Sequence, residues 1–380
     1  MAILKRRLDL GQLLENKSFF LLGPRSTGKS TLIQEQLPQA VVYDLLDAEV
    51  FRRLLERPKL LSEENPNRNA WIVIDEIQRL PDLLQEVHRL ISKEQRKFLL
   101  TGSSARKLKK DGINLLAGRA WRADLFPLTS NEIPDFDLLK YLNRGGLPQV
   151  YLSPRPEEEL RAYTAMYLRE EIQSEALTRN LQSFSAFLDV IALANGEEVN
   201  FQSLASDCGV SAGTLKNYIQ ILEDTLLGFS LKGFSGTKKR KAISRIKHYL
   251  FDVGVANSLA KRGEIRAKSE LFGKAFEHWV IQEMRAYLSY ARLPQEMTYW
   301  RSLSQFEVDL LVGEHLALEV KGTSLVQDKH LKGLRALKEE KIFKKYFVVS
   351  LDPHSRVTED GIEILPWKVY TQRLWAGDLV

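Results

Sequence analysis

The chain has 380 residues, a formal net charge of +6, 44% hydrophobic and 27% charged residues, and a single cysteine. These fractions exclude a mainly disordered chain, and the length exceeds one ordinary core, so two or three domains are expected. Cys208 alone excludes an internal disulfide or a cysteine zinc site and fits a reducing compartment. No run approaches the roughly 18 apolar residues of a membrane span, and the N-terminus lacks a signal-type apolar stretch, so no membrane partner and a cytoplasmic setting are expected.

Along the chain, Ser18–Leu22, Ala40–Tyr43, Ala70–Ile74 and Phe98–Leu100 read as buried strands. Amphipathic stretches near 30–37, 47–57 and 81–94 alternate with them, which predicts an α/β parallel sheet. Gly145-Gly-Leu-Pro148 closes this block, giving a first domain over 1–150. Residues 151–265 read as mostly helical, with a long helical pattern over Leu160–Leu177 and strands near 228–234 and 246–253. Residues 266–380 open with an amphipathic helix near 271–290, followed by strands near 297–301, 306–312, 315–321 and 345–350.

The segment Gly23-Pro24-Arg25-Ser26-Thr27-Gly28-Lys29-Ser30-Thr31 follows a buried strand and opens a helix. It matches G-x-x-x-x-G-K-[ST], whose backbone amides wrap phosphates. Lys29 is expected on the β- and γ-phosphates of ATP, and Ser30 on Mg²⁺. Trp71-Ile-Val-Ile-Asp75-Glu76 ends an apolar strand in two carboxylates. Asp75 suits the Mg²⁺ shell, and Glu76 suits deprotonation of an attacking water. Thr101 and Ser103, ending the next strand, are both candidates to sense the γ-phosphate. Arg119 is the chosen arginine for a neighbour's site, with Arg106 and Arg144 as alternatives.

Residues 18 to about 150 resemble an AAA+ ATPase core. The pattern Ile-Asp-Glu-Ile-Gln78, Thr-Gly-Ser-Ser, Leu-Ala-Gly-Arg119, Phe-Pro-Leu-Thr-x-x-Glu132 and Gly-Gly-x-Pro148 is similar to one prokaryotic family. That family joins such an ATPase to a C-terminal region of unknown function. The resemblance implies a homo-oligomeric ring, a hexamer being one size it allows.

Phe201–Leu222 fits a helix-turn-helix, with Ala205 at the helix contact, Gly209 at the turn, and Leu215 and Tyr218 in the core. Lys216 is the one basic residue on the outward face of its second helix. Charge reverses sharply beyond it: residues 151–231 hold 5 Lys/Arg against 12 Asp/Glu, and 232–251 hold 7 against none. The flanking strands resemble a winged-helix wing, with Lys238, Lys239, Arg240 and Lys241 expected on DNA phosphates.

Phe306-Glu-Val-Asp309 and Leu318-Glu319-Val320-Lys321 resemble the PD-(D/E)XK signature of restriction-like nucleases. Strand alternation puts Glu319 and Lys321 on one face. Asp309 and Glu319 are expected to hold a divalent metal, and Lys321 to steady water and phosphate. Glu277 matches the upstream acid of that resemblance. The sequence thus describes a P-loop parallel-sheet domain, an α-rich winged-helix domain and an α/β nuclease-like domain. The expected function is a DNA-binding ATP hydrolase, an oligomeric motor or remodeller of DNA, branched DNA included. Two alternatives stand: a nucleotide-gated switch whose C-terminal domain cuts DNA, and an ATPase whose winged helix contacts protein.

Overall fold

The structure is a computed structural model that describes residues 4–103, 115–167 and 181–380. Two compact units emerge: residues 1–128 with 221–227, and residues 129–220 with 228–380.

The first unit is built on five parallel strands: β1 (Ser18–Leu22), β2 (Val41–Asp44), β3 (Ile72–Asp75), β4 (Phe98–Gly102) and β5 (Ala120–Asp124), in the order β2-β3-β4-β1-β5. Continuous apolar runs form β1, β3 and β4, and all three are buried along their length. Such strands need cover on both faces. Helices Lys29–Gln36, Ala48–Glu56 and Leu83–Glu94 run between them, and Asp47 caps the second by accepting from Glu49 N at 2.7 Å. Leu83, Leu84, Val87 and Leu90 pack with Ile72, Ile74, Phe98 and Leu100 in one core. Because the strands are parallel, the residues that follow β1, β3 and β4 gather at one edge of the sheet.

The second unit carries an eight-stranded mixed sheet in the order β12-β13-β11-β10-β9-β8-β6-β7. Its strands are β6 (Gly228–Gly233), β7 (Ile246–Leu250), β8 (Met297–Arg301), β9 (Glu307–Val312), β10 (Leu316–Lys321), β11 (Lys345–Ser350), β12 (Arg356–Val357) and β13 (Glu363–Pro366). The helix Glu270–Tyr290 buries Phe272, Phe276, Trp279, Val280 and Met284. A core of Trp300, Val308, Leu311, Leu334, Leu337 and Val348 lies against the sheet's strands.

The compact units divide the chain differently from the blocks read in the sequence. The first stretch of the first unit runs to Leu128, and Gly145–Pro148 lies in the second unit, where helix Leu138–Arg144 packs with helix Val253–Leu259. The strands read as a wing, β6 and β7, do form an antiparallel pair, but β6 also pairs in parallel with β8 through Lys232↔Thr298 and Gly233↔Tyr299. The blocks on either side of 265 therefore share one sheet. The long helix expected over 160–177 begins as Pro156–Ala162, passes into a π-helical turn at Tyr163–Tyr167, and then leaves the described residues.

Candidate functional site

The phosphate loop starts where β1 ends. Gly28 has φ 92°, a left-handed conformation that glycine takes without a Cβ penalty, and it leads straight into helix Lys29–Gln36. A Cβ on Gly23 would stand 2.6 Å from the Leu125 carbonyl, so this turn also needs glycine. Thr27 Oγ1 donates to Pro24 O at 2.8 Å and stiffens the loop. Lys29 Nζ donates to Gly23 O at 2.7 Å and Pro24 O at 3.2 Å, so the ammonium lies across the loop. Arg6, buried beneath it, donates to Thr27 O at 2.7 Å and Phe126 O at 2.6 Å. Arg6 carries no motif, and sequence reading missed it.

Asp75 ends β3 at the same edge. Ser30 Oγ donates to Asp75 Oδ2 at 3.1 Å, and Thr101 Oγ1, at the end of β4, hydrogen-bonds Asp75 Oδ1. The hydroxyl and carboxylate oxygens of Ser30 and Asp75 are hard donors beside the phosphate loop, a set that fits Mg²⁺. These two residues would hold the ion, which when bound neutralises phosphate charge.

Glu76 has φ 56° and turns its chain away from β3, with its amide donating to Thr101 Oγ1 at 3.1 Å. Its carboxylate is held by the amide of Gln78, which also donates to Ser103 Oγ at 3.2 Å. Gln78 is buried, and its Oε1 lies 2.6 Å from where a Cβ on Gly102 would stand. Thr101 and Ser103 thus divide the work: Thr101 meets Asp75, and Ser103 meets the Gln78 link to Glu76. Sequence reading placed Gln78 in the family pattern but gave it no role, because a glutamine two residues beyond a glutamate has no chemical signature.

Arg119 precedes β5, and its amide donates to Leu116 O at 2.8 Å. The register Ser18↔Ala120 puts it at the start of β1, whereas the phosphate loop follows Leu22. At about 3.3 Å per residue, the length of β1 separates them by roughly 16 Å. Arg119 therefore lies at the opposite edge of its own sheet from the phosphate loop. Arg144 belongs to the second unit and donates to Tyr151 O and Ser153 O. Arg106 lies outside the described residues.

In the second unit, Asp309 and Glu319 are brought together by the antiparallel pairing of β9 and β10, whose register runs Leu316↔Val312 to Leu318↔Leu310. Asp309 Oδ2 accepts from Val320 N at 2.8 Å. Lys321 Nζ lies 2.5 Å from Glu319 Oε1 and 3.9 Å from Asp309 Oδ2. Burial and the Asp309 charge push the Glu319 carboxyl up to about 8, against the pull of Lys321. Burial likewise pushes Glu277 up to about 7, opposed by Lys247.

Glu319 Oε2 is buried without a hydrogen-bond partner, which suits a metal contact. Glu277 does not complete the set, however: it accepts from Tyr249 OH at 2.8 Å and pairs with Lys247 at 3.5 Å. Among the described residues no three His, Cys, Asp or Glu side chains converge to hold a metal ion. The fit is thus to a two-carboxylate site, Asp309 and Glu319. Lys247, buried on β7 and 2.6 Å from Glu307, was missed by the sequence reading, which placed that strand in another domain.

Helices Phe201–Asp207 and Ala212–Asp224 flank Gly209 at φ 63°, Ser211 Oγ caps the second through Thr214 N at 3.1 Å, and Ala205, Leu215 and Tyr218 are buried. Lys216 is exposed and lies 5.3 Å above the Phe201 ring. Lys238, Lys239 and Lys241 are exposed, whereas Arg240 is half-buried, donates to Ala336 O at 3.0 Å and pairs with Glu339 at 2.9 Å. The expected four-cation set therefore reduces to three exposed lysines.

A phosphate loop after β1, with Asp75 and Glu76 at the end of β3 one strand away across β4, is an NTPase-type site. Residues 15–134 match the AAA domain. Residues 135–266 match a domain of unknown function (DUF8612), and 272–370 match another (DUF4143). An uncharacterized protein of Methanocaldococcus jannaschii is 24% identical over 96% of this chain and 90% of its own length. An uncharacterized protein of Haemophilus influenzae is 23% identical, over 69% of this chain and 75% of its own. The structure of C. elegans PCH-2 aligns at 13% identity and a TM-score of 0.23, over 55% of this chain and 61% of that one. Among the described residues no helix is long and apolar enough to cross a membrane.

Proposed function

We propose that this protein is an ATP hydrolase that works as an oligomeric remodeller of DNA. The observation that carries the ATPase reading is the convergence of Lys29, Ser30, Asp75, Thr101 and Glu76 at one edge of a parallel sheet, within residues that match an AAA domain. An arriving β,γ-phosphate would take Lys29 from the Gly23 and Pro24 carbonyls. Glu76 then accepts the proton of the attacking water, with Gln78 setting where its carboxylate points. Arg119 lies too far from its own phosphate loop, so it serves a neighbouring protomer's site, which makes assembly part of the chemistry. The exposed Lys238, Lys239 and Lys241, with Lys216 of the helix-turn-helix, provide the DNA contact.

The deciding experiment compares ATP turnover without DNA and with single-stranded, duplex and branched DNA. Stimulation is expected, strongest on one DNA form. Equal rates in all four would remove DNA from the reading and leave the winged-helix region to protein contacts. The Asp309–Glu319–Lys321 cluster favours a second reading, a switch whose C-terminal region cuts DNA. Metal-dependent cleavage that is lost in Lys321→Ala while DNA binding survives would support it.

A further inference from the structure

Three consecutive backbone N–H groups of the basic loop converge on one carboxylate. Lys238 N lies 2.9 Å from Glu340 Oε2, Lys239 N lies 3.1 and 3.0 Å from Oε1 and Oε2, and Arg240 N lies 3.1 Å from Oε1. A run of amides turned inward in this way makes a concave site for an anion. Burial works to raise the Glu340 carboxyl, but the amides of Lys239, Lys238 and Arg240 together bring it below the usual carboxylate range. The pocket thus favours a charged occupant.

The shape of the loop has other supports. Thr237 Oγ1 donates to Arg240 O at 2.7 Å, and Arg240 donates to Ala336 O at 3.0 Å and lies 5.3 Å from the Phe306 ring. Beyond the loop, Leu303 N donates to Lys241 O at 3.0 Å and Ile243 N to Arg301 O at 2.8 Å. These contacts hold the amides inward without Glu340. The side chains of Lys238, Lys239 and Lys241 are exposed around them. A carboxylate offers these amides two oxygens sharing one negative charge. A phosphodiester offers the same through its two non-bridging oxygens and extends to neighbouring phosphates that lysines can meet.

We propose that the amides of residues 238–240 form an oxyanion site for a nucleic-acid phosphate, and that Glu340 stands in that site until a phosphodiester displaces it. This rests on the reading of the basic loop as a DNA contact. Glu340 sets the affinity of the loop: its release opens a phosphate site and leaves its charge in place as a competitor.

The test measures binding of a blunt duplex oligonucleotide across a salt series, and thermal stabilisation by inorganic phosphate at constant ionic strength. The proteins compared are wild type, Glu340→Ala, Glu340→Gln, Glu314→Ala and a variant with Lys238, Lys239 and Lys241 changed to Gln. Glu314, in the β9–β10 turn, gives the same change of charge away from the loop. Glu340→Ala should bind duplex about three- to tenfold more tightly than Glu314→Ala, with a salt slope steeper by about one unit, as one added phosphate contact predicts. Glu340→Gln should gain in the same direction, and it carries the test if the alanine variant fails to fold. No gain beyond Glu314→Ala, together with no stabilisation by phosphate, overturns the proposal. Loss of DNA binding in the Lys238, Lys239 and Lys241 to Gln variant, without any gain in the Glu340 variants, would keep the DNA reading and overturn the site. Stabilisation of Glu340→Ala by phosphate without DNA binding would overturn the DNA reading and assign the site to free phosphate.

Discussion

At the scale of single residues, the proposed hydrolysis turns on the placement of Glu76, whose carboxylate Gln78 holds by a hydrogen bond. The Gln78 amide spans from the Glu76 carboxylate to Ser103 just after β4, so it ties that carboxylate to the neighbouring strand. Glu76→Gln keeps the size but loses the base, so ATP binding should persist while kcat falls by about two to four orders of magnitude. Gln78→Ala should leave KM for ATP within about twofold and lower kcat by roughly tenfold or more, because it frees the carboxylate without touching the phosphate loop. Gln78→Asn, with a shorter reach, should recover little. Steady-state kinetics on the folded variants read both numbers. A change confined to KM would place Gln78 with the loop instead. The phosphate loop and Asp75-Glu76 were legible in the sequence because backbone geometry demands those residue types at those spacings. The roles of Gln78 and Arg6 were not legible, since each works through one hydrogen-bonding reach that many sequences could supply.

At the scale of elements, strand and helix positions followed from apolar runs and helical periodicity to within a few residues, as with β9 and β10 around Asp309 and Glu319. What the sequence could not show is which strands meet. The β6–β8 pairing joins Lys232 to Thr298 across more than sixty residues, and the Glu340 contact reaches the basic loop from about a hundred residues away. The basic loop shows the consequence. With Arg240 committed to Ala336 and Glu339, changing Lys238, Lys239 and Lys241 to Gln should flatten the salt slope of DNA binding by up to about 3 rather than 4. A fourth substitution at Arg240 should instead lower the melting temperature.

Helix Glu270–Tyr290 makes a separate prediction about pH. Its Glu283 is buried and accepts from Ser130 N at 2.7 Å, Ser130 Oγ at 2.8 Å and Trp375 Nε1 at 2.8 Å, yet burial still pushes its carboxyl up to about 7. A carboxyl raised on folding binds its proton more tightly in the folded chain. Its stabilising contribution is therefore complete below the unfolded value near 4.5 and is lost as pH rises through about 7. Glu283→Gln removes that dependence, although its amide satisfies fewer of the three donors. Between pH 5 and 8 the stability of wild type should fall relative to the variant, by about 3 kcal/mol at most. Parallel melting curves across that range would deny the shift.

At the scale of the whole molecule, the proposed role of Arg119 would make catalysis a property of an assembly. It sits just before β5, a strand length from its own phosphate loop, so on the proposed reading its guanidinium would act on another copy. Arg119→Ala should then bind ATP normally and assemble, but hydrolyse it about a thousandfold more slowly, the scale on which a lost arginine acts in phosphoryl transfer. Lys29→Ala should fail for the opposite reason, since its own loop loses the charge that holds the β- and γ-phosphates. Neither variant alone should approach the wild-type rate. In a mixture, however, one class of interface pairs the intact loop of an Arg119→Ala protomer with the intact Arg119 of a Lys29→Ala protomer. If subunits mix at random in equal amounts, about a quarter of interfaces are of this kind, and activity should return toward that fraction of wild type. Mixtures shown by size to co-assemble, yet still inactive, would remove Arg119 from the reaction and leave it a structural residue at the foot of the sheet.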